Sequence, residues 1–229
     1  MKSLTILLLA LFIGFVPCHN GMNLPPVTVS YPTVSQIDIL QEYTNYIVSL
    51  EGSIHHWRNI KANIHDRGGE TNYGLTYPTY QSLCPIVLCR EPDYQHFCSL
   101  TSKDIKPFIL WHYNLMSTCD MHPAIAILLT ETAWGCGVQG AKDKLMLTLI
   151  HKFGYHPKSY EDAVNYCINV VPINEFVPAF LLERKQNLLW VCQNDSTQNV
   201  FRNGWIRRID SLECFIHDNI PLNDHSDNY

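Results

Sequence analysis

Helix-start signals recur along the chain and restrict it to a mostly helical fold. A Ser or Thr followed three residues later by an acid has the spacing of a capping box, in which two side chains satisfy free N–H groups of a helix's first turn. The spacing occurs at Ser35 and Asp38, at Thr101 and Asp104, and at Ser159 and Asp162. Apolar residues at three- and four-residue steps follow, which is the period of an amphipathic helix. We therefore predict a mainly α protein.

One face of the first predicted helix ends in an acid. The residues at three- and four-residue steps along this face are Ile37, Leu40, Thr44, Ile47 and Glu51. Since the first four face the core, Glu51 is expected to place a carboxyl group at the rim of the core. The alternative is a helix-end acid that turns into water.

A polar segment rich in glycine follows Glu51. It carries Asp66 in the sequence Asp-Arg-Gly-Gly, which is turn chemistry, and then residues 71–75, which predict a small β-hairpin. A carboxyl group at the edge of an apolar helix face, with a second carboxylate nearby, is what cleavage of a glycosidic bond requires. The alternative role for Asp66 is to cap its own turn.

The most hydrophobic predicted helix spans 124–134 and opens at Pro123. Because it is apolar nearly all round, we expect it to be the central helix. We expect Gly135 and Gly137 to stop it. Further helices are predicted from the same period over 101–115, through 145–149 to Gly154, from 159 to before Pro172, over 176–191 and over 199–217.

The N-terminus predicts export. Lys2 precedes an apolar run without charge over 4–16, which is the arrangement of a secretory signal and is shorter than the roughly 20 residues of a membrane span. We expect a secreted, periplasmic or cell-envelope protein with no transmembrane span once residues 1–20 are removed. Lipid anchoring at Cys18 is the alternative, which Pro17 disfavours.

The net charge and the cysteine content further restrict the partners and the kinds of site that this protein can have. The net charge is -5, so no basic surface indicates a nucleic-acid partner. Cys18 falls in the signal, which leaves eight of nine cysteines, and an even number in an exported chain predicts disulfides. Cys84 and Cys89 are close enough in sequence to bridge a local loop, while other cysteines sit in helical patterns as core thiols. A zinc site is the alternative, disfavoured by the lack of C-x-x-C spacing.

The glycine-rich segment resembles the signature of glycoside hydrolase family 108. The matching residues are Glu51-Gly52 and then Asp66-x-Gly68-Gly69-Glu70-Thr71-Asn72-Tyr73-Gly74-Leu75-Thr76. Two weaker matches, to the helical peptidoglycan-binding domain that usually follows in this family, are Phe180-x-x-x-Arg184 and Phe201-x-x-Gly204-Trp205-Ile206-x-Arg208. The resemblance extends from about Gln36 to Asp210.

The resemblance implies a lysozyme-like helical fold with a β-hairpin at the active site and a C-terminal helical lobe. The expected organisation is a signal peptide over 1–20, an extended leader over 21–34, a catalytic lobe over 35–136, a peptidoglycan-binding-like lobe over 137–221 and a flexible tail over 222–229. It implies an N-acetylmuramidase that cleaves the peptidoglycan strand between N-acetylmuramic acid and N-acetylglucosamine. It implies no metal or organic cofactor, and we expect a monomer.

The resemblance also implies roles for individual residues. Glu51 matches the catalytic acid, which would protonate the bridging oxygen, while Asp66, assisted by Thr71, would hold the attacking water. The residues expected to contact the glycan strand are Glu70, Tyr73, Thr76 and Trp134. Among these, Glu70 is expected to orient the hairpin, and the alternative for Trp134 is a core position.

Two departures from the signature leave other functions open. Ser53-Ile54 replaces the family's Gly-Tyr, and Glu131-Thr132 stands where the central helix of the family has Phe-Asp. A catalytically weak peptidoglycan-binding protein on the same fold is one alternative. A lytic transglycosylase, which needs only one Glu, is another, and a disulfide-rich inhibitor or toxin without a sugar site is the most distant.

Overall fold

A computed structural model of the protein describes residues 34–51, 70–118 and 120–222. These residues form eight α-helices, one 3-10 helix and a two-stranded antiparallel sheet, so the predicted mainly α fold with a small hairpin is confirmed. In chain order the elements are α1 (Val34–Glu51), β1 (Thr71–Asn72), β2 (Leu75–Thr76), α2 (Tyr77–Val87), α3 (Tyr94–Ser99), α4 (Ser102–Met116), α5 (Pro123–Phe153), α6 (Tyr160–Asn169), α7 (Ile173–Asn194), the 3-10 helix (Ser196–Val200) and α8 (Arg202–Asn219). The predicted signal peptide, Asp66 and the Ser53-Ile54 departure lie outside the described residues.

The first half of α5 is the centre of the fold, as its composition predicted. Every residue from Ala124 to Ala133 is buried, and α5 packs against α4 on one side and α7 on another. Two threonines of this stretch form hydrogen bonds within the helix. The Thr130 hydroxyl donates to the Ala126 carbonyl at 2.7 Å, and the Thr132 hydroxyl donates to the Leu128 carbonyl at 2.6 Å. Within the described ranges, no helix is both long and apolar enough to cross a membrane.

The prediction that glycine stops this helix is confirmed at Gly137, while Gly135 is still helical. Gly137 has non-helical φ and ψ angles of 78° and 161°, so it separates two helical segments of α5, and the second segment ends at Phe153. The buried face resumes at Ala141, Leu145 and Leu149, so packing against the core extends beyond the kink. The second segment is capped by Gly154, which has the left-handed φ of 64° that favours glycine at a helix end, as predicted.

Two predicted helix starts are confirmed by their hydrogen bonds. The Asp104 carboxylate accepts a hydrogen bond from the Thr101 N–H at 2.8 Å at the start of α4. The Ser159 hydroxyl oxygen accepts one from the Asp162 N–H at 3.2 Å at the start of α6. Both bonds use N–H groups that have no partner inside the helix, which is why the local sequence sets these boundaries.

The apolar face of α1 is also confirmed where its side chains are described. Leu40, Thr44 and Ile47 are buried, and Tyr43 joins them with no exposed surface. Glu51 is the last residue of α1, four residues after Ile47, so it lies at the rim of this core.

The predicted disulfide between Cys84 and Cys89 is wrong. Cys84 is a free thiol on the buried face of α2, and its sulfur lies 3.9 Å from the Glu91 carbonyl oxygen. No disulfide joins the cysteines that the structure describes, while Cys119 lies outside them. The even cysteine count led to a wrong prediction of disulfides, because most of these thiols pack on helix faces, where a cysteine behaves as a small apolar residue.

Candidate active site

Glu51 lies in a partly enclosed position between α1, α5 and α8. Its side chain is 14% exposed. The Trp134 indole Nε1–H donates a hydrogen bond to Glu51 Oε1 at 3.1 Å, and Arg208 Nη1 donates to the same oxygen at 2.5 Å. Since both of these donors reach Oε1, the other oxygen, Oε2, is the one they leave available for a proton.

The turn of the hairpin lies directly against this carboxyl group. Its two central residues, Tyr73 and Gly74, have φ values of 50° and 77°, as a type I′ turn requires. A Cβ atom added at Gly74 would collide with the carboxyl carbon and both carboxyl oxygens of Glu51. Glycine is therefore required here for two reasons, the backbone conformation and the close approach of the turn to Glu51.

Contacts on both sides of the turn fix the hairpin in place. The strands pair Thr71 with Thr76, and Asn72 with Leu75. Asn72 is 1% exposed, and its side-chain N–H donates to the Phe97 carbonyl in α3 at 2.7 Å. The Thr76 hydroxyl oxygen caps α2 by accepting from the Thr79 N–H at 3.2 Å. The hairpin is thus tied to α2 and α3, and its turn is held against Glu51.

The far end of the hairpin carries an exposed tyrosine paired with an acid. The Tyr94 hydroxyl donates a hydrogen bond to Glu70 Oε1 at 2.7 Å, and this contact raises the pKa of Tyr94. The Tyr94 ring is 45% exposed and meets the Tyr77 ring edge-on at 5.2 Å. Glu70 therefore orients α3 against the hairpin and lies at the end opposite Gly74.

An edge-on aromatic contact supports the Trp134 indole, which binds Glu51. The imidazole ring of His112 in α4 meets the Trp134 ring edge-on, with 5.4 Å between centroids. His112 Nδ1 lies 2.8 Å from the Phe108 carbonyl oxygen, which can only accept, so this nitrogen carries the hydrogen. Burial lowers the pKa of His112 more than this hydrogen bond raises it, and the ring is therefore kept neutral.

Behind Glu51 lies a buried charge network centred on Glu131. Glu131 has no exposed surface, and each of its carboxylate oxygens binds an arginine. Oε2 accepts from Arg184 Nη1 in α7, and Oε1 accepts from Arg208 Nε in α8 at 2.5 Å. Burial raises the pKa of Glu131, but the two guanidinium groups lower it by more, so its net pKa lies below the usual value.

Arg208 joins this network to Glu51. One edge of its guanidinium group holds Glu131, and Nη1 holds Glu51. Burial lowers the pKa of Arg208, but the two carboxylates together raise it by more. The four side chains carry two positive and two negative charges when all are ionised, so their charges balance in a poorly solvated region.

Sequence reasoning missed Glu131 as a member of the site. The available signal was a single acid inside the most apolar helix, because an ionised carboxylate without exposure needs a positive partner. Arg184 and Arg208 were noted only as parts of weak motifs, and nothing local indicates that both reach Glu131.

The structure brings only some of the predicted site residues together. Glu51, Trp134 and the turn at Tyr73 are in one place, whereas Glu70 lies at the far end of the hairpin. Thr71 lies in β1, and Thr76 is the N-cap of α2. Asp66, the predicted second carboxylate, lies outside the described residues. Among those described, no three His, Cys, Asp or Glu side chains form a group able to hold a metal ion.

No family model, curated protein or solved structure matches this chain.

Proposed function

We propose that the protein is an exported peptidoglycan hydrolase of the N-acetylmuramidase type, with Glu51 as its general acid. The observation that carries the proposal is the setting of the Glu51 carboxyl group. It is largely buried, it is fixed by two donors on Oε1, and the backbone of the hairpin turn lies against it. A general acid needs such a fixed carboxyl group beside a cleft, because the proton must reach one particular oxygen of the substrate.

In this proposal Glu51 protonates the oxygen that bridges N-acetylmuramic acid and N-acetylglucosamine. Departure of the leaving group builds positive charge on the sugar ring, which a second group must stabilise or meet with an activated water. Asp66, assisted by Thr71, has this role by resemblance to the family signature. A separation of about 6.5–9.5 Å between the Glu51 and Asp66 carboxyl groups predicts inversion at the anomeric carbon, and about 5–5.5 Å predicts retention.

The test is digestion of purified peptidoglycan by the mature protein and by Glu51→Gln, with the products weighed by mass spectrometry. The substitution keeps the shape of the side chain and its hydrogen-bond acceptor but removes the proton donor. We expect products ending in reducing N-acetylmuramic acid from the native protein, and a loss of at least about a hundredfold in rate for the variant.

Glu175→Gln is the matched control, because Glu175 in α7 is 55% exposed and contacts only Lys152, at 3.9 Å, among the described ion pairs. Its rate should equal that of the native protein. Equal rates for Glu51→Gln and Glu175→Gln would rule out Glu51 as the acid. Products lighter by one water would instead identify a lytic transglycosylase.

One observation favours a second candidate, a peptidoglycan-binding protein without catalysis. Arg208 forms an ion pair with Glu51, and an ion pair needs a charged carboxylate, whereas a general acid must carry a proton. In that case both the native protein and Glu51→Gln would sediment with insoluble peptidoglycan and neither would release products.

A further inference from the structure

Glu51 and Glu131 share one guanidinium group, and this sharing carries an inference that rests on the proposed function. Arg208 donates through Nε to Glu131 and through Nη1 to Glu51, both at 2.5 Å. The positive charge nearest to Glu51 is therefore divided between two carboxylates. Arg184, the second partner of Glu131, makes no described contact with Glu51.

We infer that Glu131 and Arg208 are positioning residues for the acid, and that Glu131 competes with Glu51 for the charge of Arg208. Glu131 holds the guanidinium group at the site, which fixes Glu51 Oε1. The negative charge of Glu131 also offsets part of the positive charge that Arg208 presents to Glu51. The C-terminal part of the chain, which supplies Arg184 and Arg208, is then required to complete the site.

The groups around the acid come from every helix packed there. Among the described residues, Arg208 of α8 touches Glu51, Glu131 of α5 and Arg184 of α7 lie behind it, and Tyr43 and Tyr46 of α1 face the network. Burial, and then the charge of Glu131, raises the pKa of Tyr43 well above its usual value, so this phenol stays neutral. The other neighbour, Trp134, has no charge. Arg208 and Glu131 are therefore the opposing charges whose removal should affect Glu51 in opposite directions.

The experiment is the pH dependence of peptidoglycan cleavage in two variants. In Arg208→Met the nearest positive charge is gone, so the alkaline limb of the rate profile should move to higher pH. The double variant Glu131→Gln/Arg184→Met removes one negative and one positive charge together. Arg184 is therefore not left buried without its carboxylate partner. Arg208 then serves Glu51 alone, and the alkaline limb should move to lower pH.

A conservative variant separates position from charge. Arg208→Lys keeps a positive charge but cannot bind both carboxylates through one planar group. We expect its kcat to fall about tenfold with KM within about twofold, since the acid is misplaced while the glycan still binds. A kcat for Arg208→Lys above that of Arg208→Met would agree with the inference. A rise in KM with an unchanged kcat would contradict it.

Glu183→Gln is the control for loss of another carboxylate, one that lies in α7. Glu183 in α7 is 8% exposed and binds His151 at 2.8 Å, so its loss perturbs the same helix as Arg184 without touching Arg208. Its pH profile should match that of the native protein. If all the variants kept the native alkaline limb, the inference would be overturned.

A measurement without activity distinguishes failure of the inference from failure of the proposed function. A double-mutant cycle in urea, with Glu51→Gln and Arg208→Met, gives the coupling free energy of this pair. The coupling should be larger in the Glu131→Gln/Arg184→Met background than in the native one, because Arg208 is no longer shared. A native protein that cleaves nothing would overturn the proposed function, whereas the same coupling in both backgrounds would overturn the inference.

Discussion

At the scale of single residues, the site depends on a glycine as much as on an acid. Gly74 has a positive φ of 77° and its α-carbon faces the carboxyl group of Glu51 with no room for a methyl group. The left-handed conformation by itself penalises a side chain by about 1–2 kcal/mol. The additional steric conflict falls on Glu51 and would move its carboxyl group.

Under the proposed function, we expect Gly74→Ala to lower cleavage of peptidoglycan by roughly a hundredfold, since displacement of the proposed acid by about 1 Å would have an effect of this size. Initial rates on labelled peptidoglycan measure it. Gly137→Ala is the control, because Gly137 has nearly the same φ of 78° but no neighbouring side chain lies within 4 Å of an added Cβ. It should lose stability but keep its activity. Equal loss of activity in both variants would show that backbone strain, and not contact with Glu51, is responsible.

At the scale of elements, α5 has buried residues on both sides of one break in its backbone. Gly135 is helical and Gly137 is not, although both are exposed and neither has neighbours within 4 Å of an added Cβ. Alanine stabilises a helical position by about 0.5–1 kcal/mol relative to glycine. The same substitution is unfavourable where φ is positive.

Gly135→Ala should therefore raise the free energy of unfolding by about 0.5–1 kcal/mol, and Gly137→Ala should lower it by about 1–3 kcal/mol. Urea denaturation followed by circular dichroism measures both. Stabilisation by both substitutions would indicate a straight helix through residue 137 in solution. The two glycines lie two residues apart in the sequence, but the three-dimensional structure gives them opposite roles.

At the scale of the whole molecule, two buried groups should make the fold sensitive to acid in separate pH ranges. Burial keeps the pKa of His112 below its ordinary 6.5, so below pH 6.5 the unfolded chain binds a proton that the folded protein does not. Despite its burial, Glu131 has a pKa below its ordinary 4.5, because of its two arginines, so its contribution to stability is lost as pH falls below 4.5.

We expect the free energy of unfolding to fall in two steps on acidification, one beginning near pH 6.5 and one below pH 4.5. Urea titrations at a series of pH values measure both steps. His112→Gln should remove the first step, and Glu131→Gln/Arg184→Met should remove the second. If the first step survives in His112→Gln, another titrating group is responsible for it.

The sequence by itself determined where most helices begin and end and that the hairpin forms. The capping contacts of Thr101 and Ser159, the left-handed end at Gly154 and the apolar steps of α1 all act over a few neighbouring residues, so local patterns suffice to predict them. It also placed Glu51 at the rim of the core. It could not distinguish Gly135, which is helical, from Gly137, which breaks the helix.

Only the tertiary structure decided what surrounds Glu51. Arg208 lies 157 residues further along the chain, and Glu131 holds it from the central helix. No local pattern encodes such contacts, because they exist only once α1, α5, α7 and α8 have packed together. The physical reason is burial itself, since removal from water makes each of these charges depend on a partner that the fold must supply.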